Sequence, residues 1–116
     1  MTDSIPYFDG HNDVLLRLAT KSGGDPVNDF LSGDGEGHID LPRARAGNMI
    51  GGLFAMFPPP LQRPDFAKGL PGESPPMLSS DDAWKSTRKM MSILYRIARE
   101  SDGAARICLS AAEIRD

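Results

Sequence analysis

The run Met49-Ile50-Gly51-Gly52-Leu53-Phe54-Ala55-Met56-Phe57 narrows the fold of this chain more than any other feature. It is apolar at both alternating positions, the pattern of a parallel strand covered on two sides. Gly51 and Gly52 mark a close backbone approach within it, and Pro58-Pro59-Pro60 ends it abruptly. Shorter apolar segments at 5–9, ending at Gly10, and at 105–109 read as two further strands. Helical stretches alternate with them. Val14 to Ala19 looks helical, with Asn12 or Asp13 as N-cap, and Arg43 to Gly47 forms a short helical turn after His38-Ile39-Asp40-Leu41-Pro42. A longer helix is predicted from Asp81 to about Ser101, and Ser110 to Asp116 starts another. Strand, helix, loop, strand, helix, strand, helix is a βα alternation, so the fold class is α/β with a parallel sheet.

Within the long helix, Trp84, Thr87, Met91, Leu94 and Ala98 form an apolar stripe, widened by Met90 and Ile97. That stripe predicts a face packed on a sheet. Ser79 or Ser80 can cap the helix, Asp81 and Asp82 suit the positive end of its dipole, and Gly103 follows its last turn. Residues 22–37 carry Gly23, Gly24, Pro26, Gly33, Gly35 and Gly37, a loop composition. Inside it, Asp34-Gly35-Glu36-Gly37 lacks the alternating oxygen ligands and closing Glu of an EF-hand, and it reads as a solvated turn. Seven of the ten prolines lie between Phe57 and Asp81. Segment 58–80 is therefore a Pro-rich loop, placed by its length at the rim of a site.

Several function classes fall away on composition. The net charge of −3, with no Lys/Arg cluster, leaves no footprint for nucleic acid. No stretch approaches the roughly 20 apolar residues of a spanning helix. Met1-Thr2-Asp3-Ser4 lacks the charge and apolar run of a secretory signal, so a cytoplasmic protein is expected. The single Cys108 excludes an internal disulfide and a cysteine-based zinc cluster, and it is expected as a small buried hydrophobe in a strand. There is no Gly-x-Ser-x-Gly elbow and no Walker loop, and Gly33-x-Gly35-x-Gly37 does not open a helix after a strand.

What remains is Asp9-Gly10-His11-Asn12-Asp13 at the C-terminal end of the first strand. Alternation would point His11 and Asp13 to the same side. A neutral imidazole nitrogen and a carboxylate oxygen are both good zinc ligands. The alternative is structural: His11 bonded to a neighbouring carbonyl and Asp13 capping the next helix. Position favours chemistry, because strand ends early in a βα series carry the catalytic groups of barrel enzymes. His38, beside Asp40 on a Gly-rich loop, reads as an exposed or loop-packing residue rather than a ligand.

These residues resemble a known family. Asp9-Gly10-His11-Asn12-Asp13, an apolar helix, then Ile39-Asp40-Leu41-Pro42-Arg43-Ala44-Arg45-Ala46-Gly47 leading into Gly51-Gly52-Leu53-Phe54-Ala55 is similar to the opening of the membrane (renal) dipeptidases, zinc metallopeptidases. Many related barrel hydrolases carry His-x-His at the first strand, whereas His-x-Asp resembles the dipeptidase variant. The resemblance implies a (β/α)8 TIM barrel with two zinc ions at the C-terminal face of its strands. It implies that His11 and Asp13 bind one of them, and that dipeptides are the substrates, often with a D-residue at the C-terminal position. A metal-bound hydroxide would be the nucleophile, and a homodimer of the full-length protein is compatible with the family. A bridging Glu and two further histidines are expected after the third strand. Glu113 does not fill that place, because it lies on the incipient helix. A barrel of this kind takes roughly 250 residues. The 116 residues therefore read as the amino-terminal part of one barrel domain, an incomplete barrel inactive by itself, within a dipeptidase parent. Competing readings are another binuclear-metal amidohydrolase acting on a small amide, and a non-enzymatic α/β binding module.

Overall fold

A computed structural model describes residues 4–59 and 77–116. Most of the predicted Pro-rich loop lies outside the described residues. The elements are β1 (Tyr7–Asn12), α1 (Val14–Thr20), α2 (Pro26–Ser32), α3 (Leu41–Ala46), β2 (Met49–Phe54), α4 (Ser80–Glu100) and α5 (Ala111–Arg115).

The two strands pair in parallel, with Tyr7 opposite Met49, Phe8 opposite Gly51, Asp9 opposite Gly52 and Asn12 opposite Phe54. The close approach predicted at the glycines is real. A Cβ on Gly51 would come within 2.8 Å of the Phe8 ring. Asn48 sets the register from the other side. It takes the left-handed conformation (φ 61°) between α3 and β2, and its carbonyl accepts the Tyr7 N–H at 3.2 Å. Asparagine tolerates that region better than most residues, because its short amide can bond locally.

The core is mainly helical. Val14, Leu15, Leu18 and Ala19 of α1, Val27 and Phe30 of α2, and Met90, Ile93 and Ile97 of α4 form one buried cluster. Phe54 of β2 joins it edge-on to Phe30, with ring centroids 6.3 Å apart. Each buried aliphatic or aromatic side chain contributes about 1.5–3 kcal/mol. The C-terminal end of α1 is tied down as well, since Lys89 Nζ donates to the Ala19 carbonyl. That bond satisfies one of the carbonyls a helix leaves open in its last turn.

Several predicted elements change. The first strand runs through Gly10 to Asn12, so His11 lies inside it. The loop predicted at 22–37 contains α2: Asp25 caps it, accepting the Val27 N–H, and Pro26 occupies its first turn, where no N–H is needed. The turn at 43–47 begins earlier, at Leu41, because Asp40 accepts the Arg43 N–H as its cap. Ser79 caps α4, but the helix packs on α1 and α2 rather than on a sheet. Its buried line is Met90, Ile93 and Ile97, and Trp84 is exposed. No strand forms at 105–109. The Leu109 N–H instead donates to the Glu113 carboxylate, and Ser110 caps α5, so a helix cap replaces a ladder. Cys108 is half-buried and outside any strand.

The double cover predicted for the 49–57 strand is also missing among the described residues. Ile50 and Leu53 are 69% and 61% exposed, and the strand stops at Phe54. No helix among the described residues is long and apolar enough to cross a membrane.

Two outcomes follow from this packing. Leu15→Ala should lower unfolding stability by about 2–5 kcal/mol, read by urea denaturation. Exposed apolar strands invite edge-to-edge pairing, so sedimentation of the 116-residue chain should show concentration-dependent association that Leu53→Lys weakens. A compact monomer at all concentrations would contradict this.

Candidate metal centre

Strand β1 delivers His11 to the mouth of a cleft, and the chain then turns into α1 at Asp13. His11 Nε2 lies 3.3 Å from Asp13 Oδ2, with the two side chains 68% and 53% exposed. The sequence left two candidates for capping α1, and geometry separates them. Asp13 occupies the N-cap position, but its side chain makes no cap hydrogen bond. Asn12 does that work from one residue earlier: its Oδ1 accepts the Val14 N–H at 3.3 Å, and its Nδ2 donates to Asp9 Oδ2 at 2.9 Å. Asn12 is buried. The Asp13 carboxylate is thereby released from helix duty and paired only with an imidazole.

Such a pair suits zinc, which accepts neutral imidazole nitrogen and carboxylate oxygen alike. The fit is partial. Among the described residues no group of three or more His, Cys, Asp or Glu side chains could hold a metal ion. Zinc sites draw at least three protein ligands, so His11 and Asp13 amount to part of one. Glu113 adds nothing, since its carboxylate is engaged with the Leu109 N–H.

The cleft measures about 440 Å³ and is lined by His11, Asp13, Val14, Arg17, Gly37 and His38, among others. His38 is exposed, as expected, but it shares the cavity with the metal pair, which its loop setting did not suggest. Arg17 was not singled out by sequence. Its spacing was the available signal: it lies one helical turn beyond Asp13, on the same side of α1.

The Asp34-Gly35-Glu36-Gly37 segment is exposed at Gly35, Glu36 and Gly37, as a solvated turn would be, but not at its first residue. The Asp34 side chain is only 7% exposed, and its Oδ2 accepts from Lys21 Nζ at 2.8 Å and Arg17 Nη1 at 2.9 Å. Lys21 also reaches Asp29 at 3.1 Å. The Asp34 carboxyl is held well below its ordinary range, first by the Lys21 hydrogen bond and then by the Glu36 N–H, with Arg17 adding to both against partial desolvation. Lys21 is shifted upward in turn, chiefly by Asp34 and then by Asp29.

Comparison with known proteins shows the family. The family model described as membrane dipeptidase, Peptidase family M19, matches residues 1–116. A crystal structure described as the dipeptidase AC, a metallo peptidase of family M19, is similar at 36% identity with a TM-score of 0.80. That likeness covers 97% of this chain and 31% of the other. A protein of Acinetobacter calcoaceticus, described as an uncharacterized protein in the PQQ-III 3' region, is 50% identical over 56 residues, 48% of this chain and 18% of its own length. The chain thus spans less than a third of the solved relative and matches under a fifth of the other.

Asp34 predicts a pH dependence. A carboxyl kept ionised in the folded state adds stability above its unfolded value, near pH 4, and loses it as pH falls toward the folded one. Thermal melts of the wild type should therefore drop more steeply below pH 4 than those of Asp34→Asn, which should be the less stable protein at pH 7. Parallel acid curves would show that the ion pairs carry no linked proton.

Proposed function

Because the chain belongs to the membrane dipeptidase family, Peptidase family M19, we propose that it supplies the first two metal ligands, His11 and Asp13, of a metal-dependent dipeptidase. The observation that carries this reading is the His11–Asp13 pair itself, 3.3 Å apart at the cleft mouth with Asn12 relieving Asp13 of capping. Two zinc ions are the proposed cofactor, supplying Lewis-acid polarisation of the scissile carbonyl and neutralisation of its developing charge. In the proposed whole enzyme, a (β/α)8 barrel, β1 and β2 are adjacent parallel strands of the barrel wall. Their parallel pairing supports that architecture, as does the position of the site at the C-terminal end of β1.

Each residue then has a defined task. His11 would hold the metal through a ring nitrogen. Asp13 brings a formal negative charge, stabilising a cation that imidazole alone would hold weakly. Asn12 fixes the turn between them by bonding both Asp9 and the first N–H of α1. The substrate class is the dipeptide. The 116-residue chain by itself, with two ligands, is proposed to be inactive.

A full-length dipeptidase carrying these residues tests the reading. Losing a group behind a ligand typically costs 10–100-fold in metal affinity or activity, so His11→Ala and Asp13→Asn should each cost more than about 100-fold in kcat/KM. Both side chains are exposed, so the melting temperature of the metal-free protein should barely move. A full-length protein that binds no metal and leaves a panel of dipeptides intact would refute the proposal.

A further inference from the structure

The cleft has a second wall. Residues 33–38, between α2 and α3, place no side chain in the buried core, yet the segment is held at three points. Lys21 and Arg17 grip Asp34. Arg43 donates through Nη2 to the Glu36 carbonyl at 2.6 Å and through Nη1 to the Gly37 carbonyl at 2.8 Å. Gly37, at φ +62°, lies against the Arg17 guanidinium so closely that a Cβ there would overlap it. Surface loops are ordinarily the mobile parts of a fold. Charge-assisted hydrogen bonds at Asp34, Glu36 and Gly37 hold this one in a single path.

The residue delivered by that path is His38. Its side chain is exposed, makes no hydrogen bond among the described residues, and lines the cavity shared with His11 and Asp13. It belongs to no three-ligand group among those residues. Arg17 lines the same cavity, and its Nη2 is buried with no partner among the described residues. A buried donor without an acceptor is costly, more so when charged. Arg17 Nη2, being buried, is closed to a ligand in the cleft, whereas the exposed His38 ring is open to one and has no hydrogen-bond partner among the described residues.

We infer that His38, on a loop held by Arg17 and Arg43, orients the substrate by hydrogen-bonding an oxygen acceptor, carbonyl or carboxylate, of a small amide whose reacting end lies at His11 and Asp13. The inference rests on the metal-site reading above and extends it across the cleft. A cavity of about 440 Å³ lies within the usual 300–1,000 Å³ of small-molecule sites.

The test uses a full-length dipeptidase carrying these residues and loaded with zinc, with glycylglycine as the probe, its KM and the His38 ring signals in NMR being the readouts. Glycylglycine should shift the His38 ring signals. One hydrogen bond is worth about 0.5–1.5 kcal/mol, so His38→Ala should weaken glycylglycine binding about three- to tenfold. His38→Gln, which restores a donor, should recover part of the loss. Zinc affinity should be the same in the wild type and in His38→Ala, and should fall in His11→Ala. Equal glycylglycine binding by wild type and His38→Ala, or none by the wild type, would overturn the inference while leaving the zinc result standing. Zinc binding that is insensitive to His11→Ala would instead strike the metal reading, and this inference with it.

Discussion

Helix α1 is held by its apolar face, where Leu15 and Leu18 are sealed in one cluster with Met90, Ile93 and Ile97 of α4. That seal fixes the rotation of a short helix, and the rotation decides where its polar residues go. Asp13 sits at its start, Arg17 one turn on, and Lys21 immediately beyond its last turn. All three face the cleft or the loop that walls it. Seven residues make a helix too short to persist alone in water. Burial against α4, together with the Lys89 bond to the Ala19 carbonyl, supplies what propensity does not. A change that loosened this contact would displace the metal corner and the loop anchor together.

The charges around α1 divide into two kinds. Asp34 is nearly enclosed and meets both Lys21 and Arg17, so its ion pairs act as a network in a site poorly screened by solvent. The His11–Asp13 pair is open to water, where even a full ion pair between side chains is worth only about 0–1 kcal/mol. The first arrangement orders a glycine-rich loop. The second contributes little to folding, and its placement makes sense as chemistry rather than as stabilisation. Asn12 sharpens the contrast by taking over the cap that Asp13 would otherwise provide.

Local signals were legible wherever a residue's role depended on its near neighbours. Ser79 as the cap of α4 and the close backbone approach at Gly51 needed only spacing and residue type. The His-x-Asp motif was legible for the same reason, because alternation along a strand brings side chains two residues apart to one side. Helix α2 was hidden by flanking glycines, although Asp25-Pro26 is a good helix start. The strand expected at 105–109 failed for lack of a partner. Its backbone found the Glu113 carboxylate and the α5 cap instead. The burial of α4 shifted toward Ile93 because two helices, not a sheet, lie against it.

The sequence alone determined the α/β class, the family resemblance and the two candidate ligands, since each is written in residues close together along the chain. Tertiary structure decided which of Asn12 and Asp13 caps α1, that Asp34 is enclosed, and that His38 and Arg17 share a cavity with the metal pair. Those outcomes depend on segments some 17 to 27 residues apart meeting in space, as Arg17 meets Asp34 and His11 shares a cleft with His38. Local pattern fixes what each segment can become. Only packing fixes which segments face one another.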